Sequence, residues 1–222
     1  MDALSHSLRT PRIAPLTHGA PGGPPLRSEL LYPGMSVGLF GGSFNPAHAG
    51  HLHVARTAMQ RLQLDRVWFL VSPQNPLKDP AETDNYWRRA AGVWTLGDHP
   101  RMTVSDVERR LGAAYSLETV LALNSRWPEV NFVWLMGSDN LAGFHRWRGW
   151  RTIMETLPVA VIARRGTATG ARLGRAARQY ASHRVPEQRA KNLALMRAPA
   201  WTYLTAPLHP QSSSAIRAEA RS

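Results

Sequence analysis

The 222-residue chain contains no cysteine. This absence excludes a disulfide framework, zinc sites built from thiolates and any cysteine nucleophile. A chain without cysteine suits a reducing compartment, and we expect a cytoplasmic protein. The sequence also lacks a run of about 18 apolar residues, so we expect no transmembrane helix. Its N-terminal stretch has no apolar core of the kind found in secretory signal peptides.

Acidic side chains are scarce, with 15 Asp and Glu against 27 Lys and Arg, and the formal net charge is +12. This balance favours polyanionic partners such as nucleotides, nucleic acids or acidic surfaces. The excess is concentrated in a basic stretch, residues 164–197, where Glu187 is the single acid. Its basic residues are Arg164, Arg165, Arg172, Arg175, Arg178, Arg184, Arg189, Lys191 and Arg197. We interpret the stretch as a solvated face. Nucleic-acid contact is disfavoured, because Tyr180 is its only interleaved aromatic residue.

Residues 1–34 are rich in glycine, proline, serine and threonine and show no hydrophobic periodicity, so we expect a disordered extension followed by one folded domain over 35–222. In that domain, apolar runs predict strands and helical periodicity predicts helices. The predicted strands are 35–40, 66–72, 102–105, 131–137, 158–163 and 201–205. The predicted helices are 50–62, 85–96, 116–124, 171–180 and 213–220. The alternation predicts an α/β fold, a Rossmann-like doubly wound parallel sheet in a three-layer α/β/α domain. Ligands of such folds bind at the carboxyl ends of strands.

The first candidate site is the sequence GGSFNPAHAGH, residues 41–51, between a predicted strand and a predicted helix. Its glycines let the backbone approach an anion closely, and the helix start presents N–H groups and a partial positive charge. His48 and His51 lie three residues apart, so both imidazoles can face one ligand and donate hydrogen bonds to phosphate oxygens. Two alternatives stay open: a zinc cluster with His53, and histidines that only cap the helix.

This segment resembles the H-x-G-H signature of the nucleotidyltransferase α/β-phosphodiesterase superfamily, and its longer form resembles that of the bacterial nicotinate-nucleotide adenylyltransferases. The resemblance implies that His48 and His51 are catalytic. It also implies that ATP is bound by other residues of the same segment, namely Gly41, Gly42, Ser43, Phe44 and Gly50.

A second motif, SSSAIR, occupies residues 212–217. Taken alone, it is explained by serine N-caps at the start of a helix. The family carries a similar motif that binds the β- and γ-phosphates of ATP, and the resemblance implies this role for Ser213, Ser214 and Arg217. A guanidinium can bind two phosphate oxygens at once.

A third segment, GSDNLAGFHRW, follows a predicted strand and resembles the family's G-A/S-D-x-L…F…W element. The resemblance implies that Gly137 and Asp139 bind the adenosine ribose. It implies that Trp147 stacks on a pyridine ring, for which a flat aromatic surface is suited. The alternative for Trp147 is ordinary packing, since the chain has eight tryptophans.

Three further residues lie in segments that resemble family segments. The resemblance implies that they bind the acceptor, which is the nucleotide that receives AMP from ATP. Lys78, in a P-x-x-P-x-K loop, would meet its phosphate or carboxylate, and backbone groups around Ser116 would contact its ring. Arg165 would offset the nicotinate carboxylate, with Arg164 as the alternative.

The resemblance implies transfer of AMP from ATP to nicotinate mononucleotide, which gives nicotinate adenine dinucleotide and pyrophosphate in NAD biosynthesis. Mg²⁺ would accompany the triphosphate through phosphate oxygens, with no protein ligand. The expected partners are these small molecules, and the oligomeric state stays open. One alternative is adenylyl or cytidylyl transfer to another acceptor, such as nicotinamide mononucleotide or phosphopantetheine. A basic nucleic-acid-binding protein is the alternative from another class.

Overall fold

The computed structural model describes residues 30–73, 84–97, 99–163 and 173–206, together with 213, 216 and 217. The strands are β1 (Ser36–Gly42), β2 (Arg66–Val71), β3 (Met102–Ser105), β4 (Asn131–Gly137), β5 (Val159–Ile162), β6 (Arg184–Val185) and β7 (Trp201–Leu204). The α-helices are α1 (Ala49–Arg61), α2 (Tyr86–Leu96), α3 (Val107–Leu111), α4 (Ser116–Arg126), α5 (Ser138–Gly143), α6 (Trp150–Thr156) and α7 (Arg175–Gln179). Short 3-10 helices span Phe144–Arg146, Ala181–His183 and Glu187–Leu195.

All the strands join one sheet in the order β3-β2-β1-β4-β5-β7-β6, and each neighbouring pair is parallel. From β1 the chain proceeds outward to β2 and β3, and it then returns to place β4 on the other side of β1. The order therefore reverses between β1 and β4. In open α/β sheets, ligands bind at the carboxyl ends of the strands that flank such a reversal.

Helices pack on both faces of the sheet, and the strands are therefore buried on both sides. On one face, apolar residues of α1, α2 and the 3-10 helix Glu187–Leu195 pack around Phe40 and Phe69. On the other face, apolar residues of α4, α6 and α7 pack around Trp68 and Trp134. Each cluster lies between the sheet and one layer of helices, which gives a three-layer α/β/α arrangement, and the predicted doubly wound parallel sheet is confirmed.

The predicted strands and the helices predicted over 50–62, 85–96 and 116–124 agree with the structure to within a few residues. Most of the helix predicted over 213–220 lies outside the described residues. The helix predicted over 171–180 is shorter, since α7 covers Arg175–Gln179 and residues 171–172 lie outside the described part. Sequence patterns did not predict α3, α5, α6 or β6, because elements of two to seven residues are too short to show a period. None of the described helices is both long and apolar enough to cross a membrane.

The predicted extension, residues 1–34, lies outside the described residues except for 30–34. That short piece precedes β1 and is fixed near the start of β4. The Gly34 N–H donates to the Glu129 carbonyl at 2.8 Å, and the Asn131 side-chain amide donates to the Gly34 carbonyl at 3.1 Å.

Candidate active site

The end of β1 has no room for side chains at its two glycines. A Cβ on Gly41 would lie 2.8 Å from Cη2 of Trp134, and a Cβ on Gly42 would lie 3.0 Å from Cζ of Phe44. Phe44 is buried and has φ 47°, in the left-handed region that non-glycine residues seldom adopt. The chain thus turns sharply at the carboxyl edge of the sheet. Residues 43–48 form the β1–α1 loop.

His48 and His51 form a reciprocal cap at the start of α1. Nδ1 of His48 accepts the Gly50 N–H at 3.1 Å, and Nδ1 of His51 accepts the His48 N–H at 3.2 Å. A neutral imidazole whose Nδ1 accepts carries its proton on Nε2, so both rings have a donor at Nε2. The ring centroids are 3.8 Å apart. The contact expected from the capping alternative is therefore present, and it places the donor proton of each neutral ring on Nε2.

Aromatic packing supports the histidine pair from below. The His51 ring meets Phe44 edge-on, with centroids 4.9 Å apart, and Phe44 in turn packs on Phe40 at 5.5 Å and on Phe69 at 5.7 Å. His48 and His51 are 4% and 9% exposed, respectively. The orientations of both rings are thus fixed by the backbone caps and by the core.

The C-terminal motif meets the β1–α1 loop. The Ser213 hydroxyl donates to the Pro46 carbonyl at 3.1 Å, and Nη1 of Arg217 donates to the Asn45 carbonyl. Ser214, from the same motif, lies outside the described residues. Two segments separated by most of the chain, each predicted to bind ATP, are therefore neighbours in space.

The carboxyl end of β4 lies beside that of β1, since Phe40 pairs with Leu135 in the parallel register. Gly137 ends the strand and is buried, whereas Asp139 is exposed in the first turn of α5. A carboxylate at this edge can accept hydrogen bonds from hydroxyl groups. The two residues predicted to contact the ribose thus lie at the end of β4, which adjoins β1, and in the first turn of the helix that follows β4.

The predicted acceptor residues Ser116 and Trp147 lie on adjoining segments. The guanidinium of Arg148 lies over the ring of Tyr115, 4.8 Å from its centroid, and a Cβ on Gly149 would be 2.5 Å from Cδ2 of Leu117. These contacts bring the residues that flank Trp147 against the start of α4, where Ser116 is located. Lys78 and Arg165 lie outside the described residues, and their roles stay predictions.

Trp134 connects the two groups of residues. Its six-membered ring faces Gly41 on β1, and its indole packs edge-on against the half-buried Trp147, with centroids 6.3 Å apart. Trp147 also packs on Phe144 at 5.2 Å. Part of the Trp147 ring is therefore core, and the exposed remainder is the surface on which a flat ligand would stack.

The family model described as cytidylyltransferase-like matches residues 39–219, a span that contains the histidine pair, both strand ends and the C-terminal motif. The chain belongs to this cytidylyltransferase-like family. A probable nicotinate-nucleotide adenylyltransferase from Caulobacter sp. (strain K31) is 57% identical, over 82% of this chain and 97% of that protein. Another from Ruegeria sp. (strain TM1040) is 49% identical, over 82% and 96% respectively. The predicted family membership is confirmed.

Solved structures share the fold of this cytidylyltransferase-like chain. A nicotinic acid mononucleotide adenylyltransferase of Plasmodium falciparum, complexed with APC, has a TM-score of 0.61 at 13% identity and covers 83% of each chain. The same protein complexed with NaAD has a TM-score of 0.62 at 14% identity over the same shares. At such low identity these likenesses establish the architecture and nothing finer.

Sequence reasoning missed one buried charge in this family member, Arg89 on α2. The residue is 3% exposed, and its guanidinium donates to the backbone carbonyls of Ser43, Ser72, Pro73 and Asp84. Burial lowers the pKa of Arg89. A signal was available, because Arg89 lies four residues before the buried Val93 and so shares the apolar face of an amphipathic helix.

A second buried charge lies beneath the acceptor residues. Glu108 is 5% exposed, and the hydroxyl of Thr119 on α4 donates to its Oε1 at 3.2 Å. Burial raises the pKa of Glu108 to about 7, and the hydrogen bond from Thr119 acts in the opposite direction. The start of α4 thus rests on a carboxyl group that gains or loses its proton near neutral pH.

The zinc alternative for the histidines has no third ligand in the described part of the chain, where no three His, Asp or Glu side chains cluster. Two imidazoles alone leave the tetrahedral coordination that zinc prefers incomplete. The geometry favours hydrogen-bond donation by both imidazoles over zinc coordination.

Proposed function

We propose that this cytidylyltransferase-like protein transfers AMP from ATP to nicotinate mononucleotide and releases pyrophosphate. One observation carries the proposal: Ser213 and Arg217 contact the loop that leads into His48 and His51, at the carboxyl edge of β1. Neutral Nε2–H donors, a helix start and a guanidinium are gathered there, which suits a triphosphate. The names of the bacterial relatives support nicotinate mononucleotide as the acceptor.

The reaction is an in-line displacement. A phosphate oxygen of the acceptor attacks the α-phosphorus of ATP, a new P–O bond forms, and the bond to the β-phosphate oxygen breaks as pyrophosphate leaves. The acceptor phosphate is already ionised at neutral pH, so no general base is required. Catalysis then depends on alignment and on stabilisation of the charge that develops on the phosphoryl oxygens.

The histidine pair supplies that stabilisation. Because both Nδ1 atoms accept backbone hydrogen bonds, both Nε2–H groups are donors for phosphoryl oxygens. Ser213, Ser214 and Arg217 would bind the leaving pyrophosphate. Arg217 uses Nη1 on the Asn45 carbonyl, and a guanidinium has five N–H donors in all.

On the other side of Trp134, we assign the acceptor to the surface formed by Trp147 and the start of α4. Trp147 would stack on the pyridine ring, and backbone groups around Ser116 would contact it. Lys78 and Arg165 supply positive charge for the acceptor's phosphate and carboxylate. Gly137 and Asp139 would hold the adenosine ribose between the two sides.

Mg²⁺ is expected with the triphosphate. Since the described residues contain no group of three metal ligands, the ion would be held through phosphate oxygens, which match its preference for hard oxygen ligands. When bound, Mg²⁺ neutralises charge on the phosphates. The lack of cysteine supports a cytoplasmic setting for the reaction.

Pyrophosphate release by the purified full-length protein tests the proposal. With ATP and Mg²⁺, we expect the fastest release with nicotinate mononucleotide and slower release with nicotinamide mononucleotide or phosphopantetheine. Faster release with phosphopantetheine, or with CTP in place of ATP, would reject the substrate assignment. If no acceptor gives pyrophosphate and the protein instead binds RNA with a steep salt dependence, the nucleic-acid alternative replaces the proposal.

A further inference from the structure

Arg89 is the fourth residue of α2 and is buried. Its guanidinium donates hydrogen bonds to three separate segments of backbone. Nη1 donates to the Ser43 carbonyl at 2.7 Å and to the Ser72 carbonyl at 2.8 Å. Nη2 donates to the Pro73 carbonyl at 3.1 Å, and Nε donates to the Asp84 carbonyl at 2.9 Å. All these acceptors are main-chain oxygens.

The arrangement is unusual for a buried charge. Within the described part of the chain, no carboxylate lies within salt-bridge distance of the Arg89 guanidinium, and the nearby Asp84 carboxylate pairs with the exposed Arg88. Burial lowers the pKa of Arg89 and outweighs the charge of Asp84, which raises that pKa, and a buried charge without an opposite charge in contact is costly. What Arg89 provides in return is a planar fork of five donors, a geometry that lysine cannot reproduce.

Two of the segments it joins follow neighbouring strands, since Gly42 at the end of β1 pairs with Val71 at the end of β2. Ser43 begins the β1–α1 loop, which leads to His48 and His51. Ser72 and Pro73 follow β2 directly and lead into the segment, outside the described residues, that contains Lys78.

Two further contacts join α2 and the residue before its N-cap to the β1–α1 loop. The Asp84 N–H donates to the side-chain oxygen of Asn45 at 3.3 Å. Gly92 faces Ala47, with 3.6 Å between their β positions when a Cβ is added to the glycine. Arg89 lies between these two contacts and is the residue of α2 that contacts both the loop and the end of β2.

We propose that Arg89 is a positioning residue that fixes the β1–α1 loop against the end of β2, so that ATP bound at that loop is held in line for displacement. The proposal rests on the proposed function for the assignment of ATP to the β1–α1 loop. Arg89 touches neither substrate. Its effect on the reaction comes through alignment, and a misplacement of about 1 Å can cost roughly 100-fold in rate.

Arg89→Lys keeps the positive charge and removes the fork. For the folded variant we expect kcat with ATP and nicotinate mononucleotide to fall roughly 100-fold, while both KM values change little, because each substrate still meets its own contacts. Circular dichroism and thermal unfolding establish that the variant is folded at the assay temperature.

Arg110→Lys is the matched control. Arg110 is also buried, with its side chain 5% exposed, but it pairs with Asp106 at 2.7 Å one turn away on the chain. We expect this variant to lose stability and to keep kcat within a few-fold of wild type.

Hydrogen–deuterium exchange gives a readout that does not depend on activity. Arg89→Lys should speed exchange in peptides that cover 43–51 and 70–73, whereas Arg110→Lys should not. Release of no pyrophosphate by wild type would reject the proposed function, and the exchange pattern would still decide the role of Arg89.

Several results would overturn the inference. One is a kcat for Arg89→Lys equal to that of Arg110→Lys, and another is unchanged exchange at 43–51. If Arg89→Lys and Arg89→Gln both fail to fold while Arg110→Lys folds, Arg89 has a structural role alone, and the inference is also wrong.

Discussion

His48 and His51 take their positions from hydrogen bonds within four consecutive residues, whereas Ser116 and Trp147 take theirs from packing between segments far apart in sequence. The histidine side is anchored by backbone caps, by two glycines and by Phe44 beneath. The acceptor side is anchored by a cation over an aromatic ring, by tryptophan edges and by a buried carboxyl group. Motif spacing can therefore specify the first side, while the second depends on how the whole sheet and its helices assemble.

This difference predicts that the histidine side is chemically strict. The acceptor side should tolerate change, and the raised pKa of Glu108 should make the stability of the protein depend on pH. The variants below test that contrast, beginning with the largest expected effect.

His51→Asn should lower kcat by at least about 100-fold, because the variant loses the donor at Nε2. The Asn side-chain oxygen can still accept the His48 N–H, so the helix cap and the fold should persist. Steady-state pyrophosphate release, with circular dichroism as the check on folding, measures the effect. His53→Ala on the same helix is the control and should stay within a few-fold of wild type. Near-normal turnover by His51→Asn would contradict the assigned role.

Glu108→Gln, a change on the acceptor side, should remove one pH dependence from the free energy of unfolding. The pKa of Glu108 is raised in the folded protein to about 7, from an ordinary value of 4.5. The folded state then holds more protons than the unfolded state between these values, so stability falls as pH rises from about 4.5 to about 7 and is level above. The full shift corresponds to about 3 kcal/mol. We expect the Gln variant to unfold at the same denaturant concentration as wild type at pH 4.5 and at a higher one at pH 8. Parallel curves for both proteins at all pH values would exclude Glu108 as the source.

Gly41→Ala should destabilise the protein by about 1–3 kcal/mol, since its Cβ would overlap the Trp134 ring. Gly92→Ala is the matched control, because the added Cβ would make only an ordinary van der Waals contact with Ala47. In the interior of α2 this change should stabilise by about 0.5–1 kcal/mol. Urea unfolding measures both variants, and effects of the same sign would contradict the fit described for β1.

Trp147→Ala should raise the KM for nicotinate mononucleotide about tenfold, the size expected for one lost aromatic stacking contact. The KM for ATP should not change. Trp127→Ala removes another half-buried tryptophan, packed on Trp68 with centroids 6.4 Å apart, and should affect stability without changing either KM. Equal effects of the two variants on the acceptor KM would assign Trp147 to packing alone.

The sequence predicted those parts of the molecule that local pattern controls. A parallel strand is buried on both faces, so its sequence is a continuous apolar run. Runs such as Asn131–Gly137 therefore marked the positions of the strands. The spacing of His48 and His51 predicted a shared orientation, but not that each Nδ1 would be occupied by a backbone N–H. Arg89 and Glu108 were missed because their significance depends on burial, which a motif does not record. The contact of Arg217 with Asn45 likewise required the fold, since the two residues lie at opposite ends of the domain.

The central claim is that the histidine pair presents two Nε2–H donors to the triphosphate, and ¹⁵N NMR of the histidine side chains tests it most directly. Spectra of the free protein should show His48 and His51 as neutral Nε2–H tautomers, and addition of Mg²⁺ with a nonhydrolysable ATP analogue should shift both Nε2 resonances strongly while those of His99 and His183 stay in place. Nδ1–H tautomers in the free protein, or resonances of His48 and His51 that do not respond to the analogue, would contradict the account.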